Sequence, residues 1–243
     1  MTVDTTYNCS GTIRVADYNQ NCFNHKAHGT QTVAEALPNS CNTFFITMGQ
    51  KLGAETFSKY FEAFGFTEKT GIDLPGEAGT IMHKKENMGL VELATVSFGQ
   101  SFQITPIQLA NYCAAVANGG TRHRTHFVKS VKSYDYSRTV FENEAEIVAE
   151  TGVSEKTLEI VRRGMLEVGT TGYCSSYFAH LPVQVAAKTG TAENSGSDHT
   201  TFICYAPFDK PEVAVAVVIE NGARGKYSMN VAKAMLDAYF AKK

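Results

Sequence analysis

Two short strings in this chain carry residues suited to acyl transfer. Lys188-Thr189-Gly190-Thr191 stands at the end of an expected strand. In such a string the lysine supplies fixed positive charge beside a nucleophile, and the two hydroxyls grip a substrate carboxylate. The glycine has no Cβ, so a substrate backbone can lie along the strand edge. An amide N–H just beyond it can complete an oxyanion hole. Taken alone, the string reads equally well as a strand leaving its sheet through a glycine. Ser40-Cys41-Asn42 is the second string. Its hydroxyl can pass a proton, and its amide can hold a lysine and a substrate carbonyl together. As a triplet it is weak, because Ser228-Met229-Asn230 repeats the pattern at a helix start, where capping accounts for it. A third group is Cys9, Cys22, His28 and Cys41, with His25 as a spare nitrogen. Three thiolates and an imidazole suit tetrahedral zinc, and a closed site would pin the N-terminal loop against the helix after Ser40. A Cys9–Cys22 disulfide or unpaired thiols are the alternatives.

These residues need a folded body to hold them. The chain has 243 residues, 43% hydrophobic and 19% charged, which excludes a wholly disordered polymer. Its 22 basic and 24 acidic residues leave a net charge of −2, so no nucleic-acid footprint is expected. Six cysteines are too sparse for a disulfide scaffold. No apolar run approaches the roughly 20 residues of a membrane helix; the longest is Val213 to Ile219. Met1 to Ser10 is polar and lacks the apolar core of a signal peptide. A piece cut from a longer chain would share these features.

Helical spacing predicts short helices over Thr30 to Leu37, Cys41 to Leu52 and Ala54 to Phe64, followed by a loop with turns at Thr70-Gly71 and Pro75-Gly76. Thr105-Pro106 opens a helix that ends at Gly119-Gly120, and Ser154 caps another carrying Leu158, Val161, Met165 and Val168 on one face. Alternation from His126 to Val140 suggests a hairpin. Strands are expected over Val183 to Ala187, Thr201 to Ala206 and Val213 to Ile219, with connections at Asn194 to Asp198 and Phe208 to Pro211. A closing helix, Met229 to Phe240, places Val231, Met235 and Ala238 on one side. The fold expected is α/β of the α+β kind: a mainly helical lobe over residues 1–168, then antiparallel strands and a C-terminal helix over 169–243. Cys113, Cys174 and Cys204 fall on apolar patterns and read as small core residues.

The order of the strings points to one family. Gln31 to Phe45, Thr70 to Glu77, Ser97-Phe98-Gly99-Gln100, Thr105 to Leu109, Ala186 to Glu193 and Val213 to Asn221 each resemble segments of class B penicillin-binding proteins, in the family's order and over nearly the whole chain. The resemblance implies part of a penicillin-binding/β-lactamase-like transpeptidase fold. It implies peptidoglycan D,D-transpeptidation through an acyl-enzyme and inhibition by β-lactams. It favours the elongation or sporulation type of Gram-positive bacteria. The implied partners are peptidoglycan stem peptides, β-lactams and cell-wall synthesis proteins. The implied place is the outer face of the cytoplasmic membrane, with an anchoring helix absent from this chain. No cofactor is implied for catalysis, while some members look to carry a zinc near the cysteine–histidine group. The implied roles are Lys188 as electrostatic partner of the nucleophile, Ser40 and Asn42 as proton relay and positioning groups, and Thr189, Gly190 and Thr191 as the substrate cradle.

Two departures stand out. The family's nucleophile lies in S-x-x-K ahead of S-x-N, yet none of the fifteen lysines here has serine three residues before it. The expectation is that this motif falls shortly before Met1 of a longer protein, and that this chain by itself forms no acyl-enzyme. The family often has His-x-Trp-Phe after its third motif; here it is His199-Thr200-Thr201-Phe202, and there is no tryptophan. A carboxypeptidase or β-lactamase of the same superfamily is one alternative, and a non-catalytic sensor that keeps the pocket is another. Ser97 and Gln100 lie either on the site's rim or in a turn between helices, and His199 either contacts substrate or starts a strand. Asp73 and Glu77 flank turns and make no acid/base pair. Lys84-Lys85-Glu86 and Arg162-Arg163 are expected on exposed faces.

Overall fold

The computed structural model describes residues 2–82, 85–222 and 226–241. In chain order the elements are β1 (Tyr7–Cys9), β2 (Thr12–Val15), β3 (Tyr18–Asn21), β4 (Gly29–Gln31), α1 (Val33–Ala36), α2 (Asn42–Leu52), α3 (Ala54–Ala63), α4 (Leu90–Ser97) and α5 (Pro106–Ala117). Then follow β5 (Thr121–His123), β6 (Ser130–Lys132), β7 (Thr139–Glu142), β8 (Ile147–Glu150), α6 (Glu155–Thr170), α7 (Gly172–Phe178), β9 (Ala186–Ala192), β10 (His199–Ala206), β11 (Val213–Ile219) and α8 (Lys226–Phe240).

The central sheet has the order β11-β10-β9, antiparallel throughout. Strand β10 is buried on both faces because helices cover both. Phe202, Cys204 and Ala206 pack with Val215, Val217, Met229, Ala232 and Leu236 beneath α8. Ile203 and Tyr205, alternating to the other side, pack with Cys113, Val116, Met165 and Ala186 beneath α5 and α6. Cys113, Cys174 and Cys204 are all buried, as small core residues.

Local signals set the helix starts. At α5 the Gln108 carboxamide oxygen accepts the Thr105 N–H at 2.8 Å, the Thr105 hydroxyl accepts the Gln108 N–H at 3.3 Å, and Pro106 fills the first turn. Gly119 and Gly120 close it at φ +92° and +102°, where a side chain would be strained. At α6 the Ser154 hydroxyl accepts the Thr157 N–H at 3.3 Å.

The structure departs from the sequence reading in several places. The expected helical first two thirds contain eight short strands. Three- and four-residue ladders carry too little periodicity to read. The N-terminal pairs β1–β4 and β2–β3 are of this kind, and so are β5–β8 and β6–β7, which form a ribbon over residues 121–150 around the expected hairpin. The Thr30 to Leu37 stretch divides into β4 and the single turn α1, and α4 and α7 are helices beyond those expected. Strand β9 begins at Ala186, not Val183, so the K-T-G string lies inside the strand. On α8 the buried stripe is Met229, Ala232 and Leu236, while Val231 and Met235 face outward. Ser228 sits inside α8 and is buried, so capping does not explain its triplet. Lys84 falls outside the described residues. Lys85 pairs with Glu55 at 3.2 Å. Arg163 is exposed, whereas the Arg162 side chain is only 14% exposed and pairs with Glu155.

Candidate active site

Ser40 sits in the turn that joins α1 to α2. The Glu35 carboxylate accepts the Thr32 N–H at 2.7 Å and opens α1. After one turn the chain folds back: the Ser40 N–H donates to the Leu37 carbonyl at 3.1 Å and the Cys41 N–H to the Ala36 carbonyl at 3.0 Å. Ser40 therefore adopts φ +49°, left-handed backbone that a non-glycine residue keeps only where its surroundings demand it. Asn42 starts α2, and the fully buried Cys41 anchors the turn between them.

Lys188 reaches this turn from the edge strand β9. Pairing Lys188 with Ile203 and Ala186 with Tyr205 puts the lysine on the α5–α6 side of the sheet. Its Nζ donates to the Ser40 Oγ at 2.6 Å and to the Thr189 carbonyl at 2.8 Å. Desolvation holds the ammonium down to about 8, against an ordinary 10.5.

Thr189 and Thr191 alternate onto the other face of β9, Thr189 half-buried and Thr191 exposed. Among the described residues strand β9 is paired on one side only, so alternate amides project from its other edge. Gly190 has a local reason: a Cβ there would run into the Thr201 hydroxyl across the ladder.

Helix α6 lies between the two strings. A Cβ at Gly169 would run into the Val185 carbonyl oxygen, three residues before Lys188. A Cβ at Gly164 would sit 2.8 Å from Leu37 Cδ2, three residues before Ser40. Neither glycine carried a signal in the sequence beyond being a glycine inside a helical pattern.

Cys9, Cys22, His28 and Cys41 come together, their ligand atoms all within 4.8 Å of one another. His28 Nδ1 lies 3.6 Å from the Cys9 sulfur and 3.5 Å from the Cys22 sulfur, and the Cys22 and Cys41 sulfurs are 3.7 Å apart. All are free thiols, so the Cys9–Cys22 disulfide is not formed. The Cys41 hydrogen bond pulls the Cys22 thiol down, while the Cys41 thiol is pushed up. His25 takes no part in the group.

The lesser candidates have structural duties. The Ser97 hydroxyl donates to the Leu93 carbonyl at 2.5 Å and packs where Gly49 lets α2 and α4 cross. The Gln100 N–H closes the same helix end on the Thr95 carbonyl at 3.0 Å. His199 starts β10, and its Nδ1 accepts the Asn221 N–H at 2.9 Å. Asp73 accepts the amides of Phe127 and Val128 at 2.6 and 3.0 Å, tying the ribbon to the body. Glu77 accepts from the Thr70 N–H and hydroxyl and from the Gly71 N–H.

The serine–lysine contact thus lies at the edge of an antiparallel sheet, with a helical layer against it. The model of the penicillin-binding protein transpeptidase domain family matches residues 1–240, and the chain belongs to that family. Stage V sporulation protein D of Bacillus subtilis is 35% identical over 207 residues, covering 82% of this chain and 32% of that protein. The peptidoglycan D,D-transpeptidase PbpA of Mycobacterium tuberculosis is 33% identical over 208 residues, covering 80% of this chain and 40% of that protein. Thus the chain spans about a third of the length of the curated relatives it matches. Among solved structures, the D,D-transpeptidase domain of a peptidoglycan glycosyltransferase from Eggerthella lenta superposes with a TM-score of 0.89 at 27% identity, covering 100% of this chain and 61% of that one. The imipenem acyl-enzyme complex of penicillin-binding protein A from M. tuberculosis gives 0.87 at 26% identity, covering 98% and 55%.

Proposed function

We propose that this chain supplies the proton-relay and carboxylate-binding parts of a serine-type peptidoglycan D,D-transpeptidase. The Lys188–Ser40 contact carries the reading. A nucleophilic serine attacks a carbonyl carbon of the donor stem peptide, and its proton passes through Ser40 to the leaving amine as the C–N bond breaks. An acceptor amine then attacks the ester carbonyl, the C–O bond to the serine breaks, and the amine's proton returns to the serine oxygen. Lys188 provides positive charge beside the nucleophile, and Asn42 orients the lysine of the S-x-x-K motif and the substrate carbonyl. Thr189 and Thr191 hold the donor carboxylate, Gly190 keeps the strand edge clear, and the Thr191 amide serves the oxyanion. A β-lactam enters by the same attack, opening its ring C–N bond.

No lysine here has serine three residues before it, so the chain by itself forms no acyl-enzyme. We place the enzyme outside the cytoplasmic membrane, held there by a helix elsewhere in the protein and working with other cell-wall synthesis proteins. Among the described residues no helix is long and apolar enough to cross a membrane. Catalysis by this family needs no cofactor.

A structural zinc fits the thiol group. Zinc with ligands at ordinary bond lengths sets tetrahedral S···S edges of about 3.8 Å and S···N edges of about 3.6 Å. The three shortest separations, 3.7, 3.5 and 3.6 Å, lie close to these, and the rest lie within 4.8 Å. Cys9, Cys22 and Cys41 as thiolates and His28 through Nδ1 would hold the ion and brace the turn that presents Ser40.

Intact-mass spectrometry after incubation with penicillin tests the transpeptidase reading, on this chain and on a version extended upstream to include S-x-x-K. One penicilloyl mass on the extended protein alone is expected. No label on either sinks the reading in favour of a non-catalytic sensor, and a label on a unique serine of this chain would make Ser40 the nucleophile.

A further inference from the structure

The two strings of the site are 148 residues apart in the chain, yet their side chains meet at 2.6 Å. Strand β9 and the Ser40 turn both lean on α6. Gly169 lets α6 lie directly on β9, because any Cβ there meets the Val185 carbonyl oxygen, a backbone atom that cannot rotate away. Gly164 lets the Leu37 side chain lie directly on another flank of the same helix. These two glycines are about 140° apart around the helix axis, so α6 is a wedge with one notch toward each string. Hydrogen bonding links each notch to the site: Ser40 N–H to the Leu37 carbonyl, and β9 running in register from Ala186 to Lys188.

We infer that α6 is the spacer that sets the Ser40–Lys188 separation, with Gly164 and Gly169 as positioning residues. Helix interiors disfavour glycine relative to alanine, so its presence at both notches is explained by close approach and not by helix formation. The catalytic meaning of this spacing rests on the transpeptidase reading, but the spacing itself is measurable without turnover.

The test is titration of Lys188 by NMR of ¹³C-labelled lysine in this chain, in Gly164→Ala, in Gly169→Ala and in Leu158→Ala. Alanine at Gly169 lifts α6 from β9 and admits water, so the Lys188 pKa is expected to rise by about one pH unit or more toward its ordinary value. Alanine at Gly164 displaces Leu37 and the Ser40 turn, with a smaller rise, and adding Leu37→Ala removes Cδ2, the atom at 2.8 Å, leaving only Cβ at 3.3 Å, and returns the titration toward the original. Leu158→Ala destabilises α6 near its start, against Gly120 and away from both notches, and leaves the Lys188 titration in place. If Gly169→Ala fails to fold, the Gly164→Ala and Leu37→Ala pair decides. A Lys188 titration unmoved by alanine at Gly164, or moved equally by Leu158→Ala, overturns the inference. Failure of penicillin labelling would leave this result untouched, so the two readings fail separately.

Discussion

Lys188 is held at a cost to the fold, and replacing it measures that cost. The gap between the ordinary 10.5 and about 8 corresponds to about 3 kcal/mol, the penalty for keeping the lysine charged in the folded state below pH 8. Lys188→Met removes this penalty with a side chain of similar length. It also removes the hydrogen bonds to Ser40 and Thr189; the charge-dependent part is already counted in the pKa gap, so each is taken at the about 1 kcal/mol net of a neutral amine's bond. The balance is a gain of about 1 kcal/mol at pH 7, a rise in Tm of about 2–4 °C for a chain of this size. The pH dependence has a definite sign. A lysine depressed in the fold loses its proton there first, so the unfolded chain binds more protons between about pH 8 and 10.5, and the unsubstituted protein gains stability across that window. The advantage of Lys188→Met should therefore be full below pH 8 and should shrink, then reverse, as the pH nears 10.5. Urea unfolding followed by circular dichroism from pH 6 to pH 10 reads this directly. A variant less stable than the original at pH 7, or a difference that does not change with pH, would refute the picture of a desolvated lysine kept for chemistry and not for stability.

Two other perturbations follow from the same geometry. Metal analysis after dialysis without chelator should find one zinc per chain, and Cys22→Ser should lose it together with several degrees of Tm; well under one equivalent in the unsubstituted chain removes the proposed ion. Asp73→Ala should speed amide exchange at Phe127 and Val128 and expose the 121–150 ribbon to proteases, leaving α5 and the central sheet protected. The Phe127 and Val128 amides hold the Asp73 carboxyl below its ordinary 3.8, so this tie is intact above that value and is lost as the pH falls through the lowered one; unchanged exchange in the variant would remove it from the account.

Much of the chemistry is written along the chain. K-T-G, S-x-N and the absence of serine three before any lysine are properties of the string, and so are the caps at Thr105-Pro106 and Ser154, because each acts within a few residues of itself. The cysteine and histidine types named a metal group, but the sequence left zinc, disulfide and free thiols open, since spacing does not say which sulfurs meet. Tertiary structure put the three thiols and His28 together and left Cys9 and Cys22 unbridged. It also chose the buried stripe of α8. Met229, Ala232 and Leu236 and the stripe of Val231, Met235 and Ala238 are both apolar at helical spacing, so periodicity announces a face without saying which one the sheet will cover. The sharpest case is the site itself. The sequence placed a lysine at the end of a strand and a serine before a helix; the structure carries the strand on through the lysine to Ala192. Only the packing of α6 into both segments, through two glycines whose lack of a side chain has no periodic signature, brought the lysine to the serine.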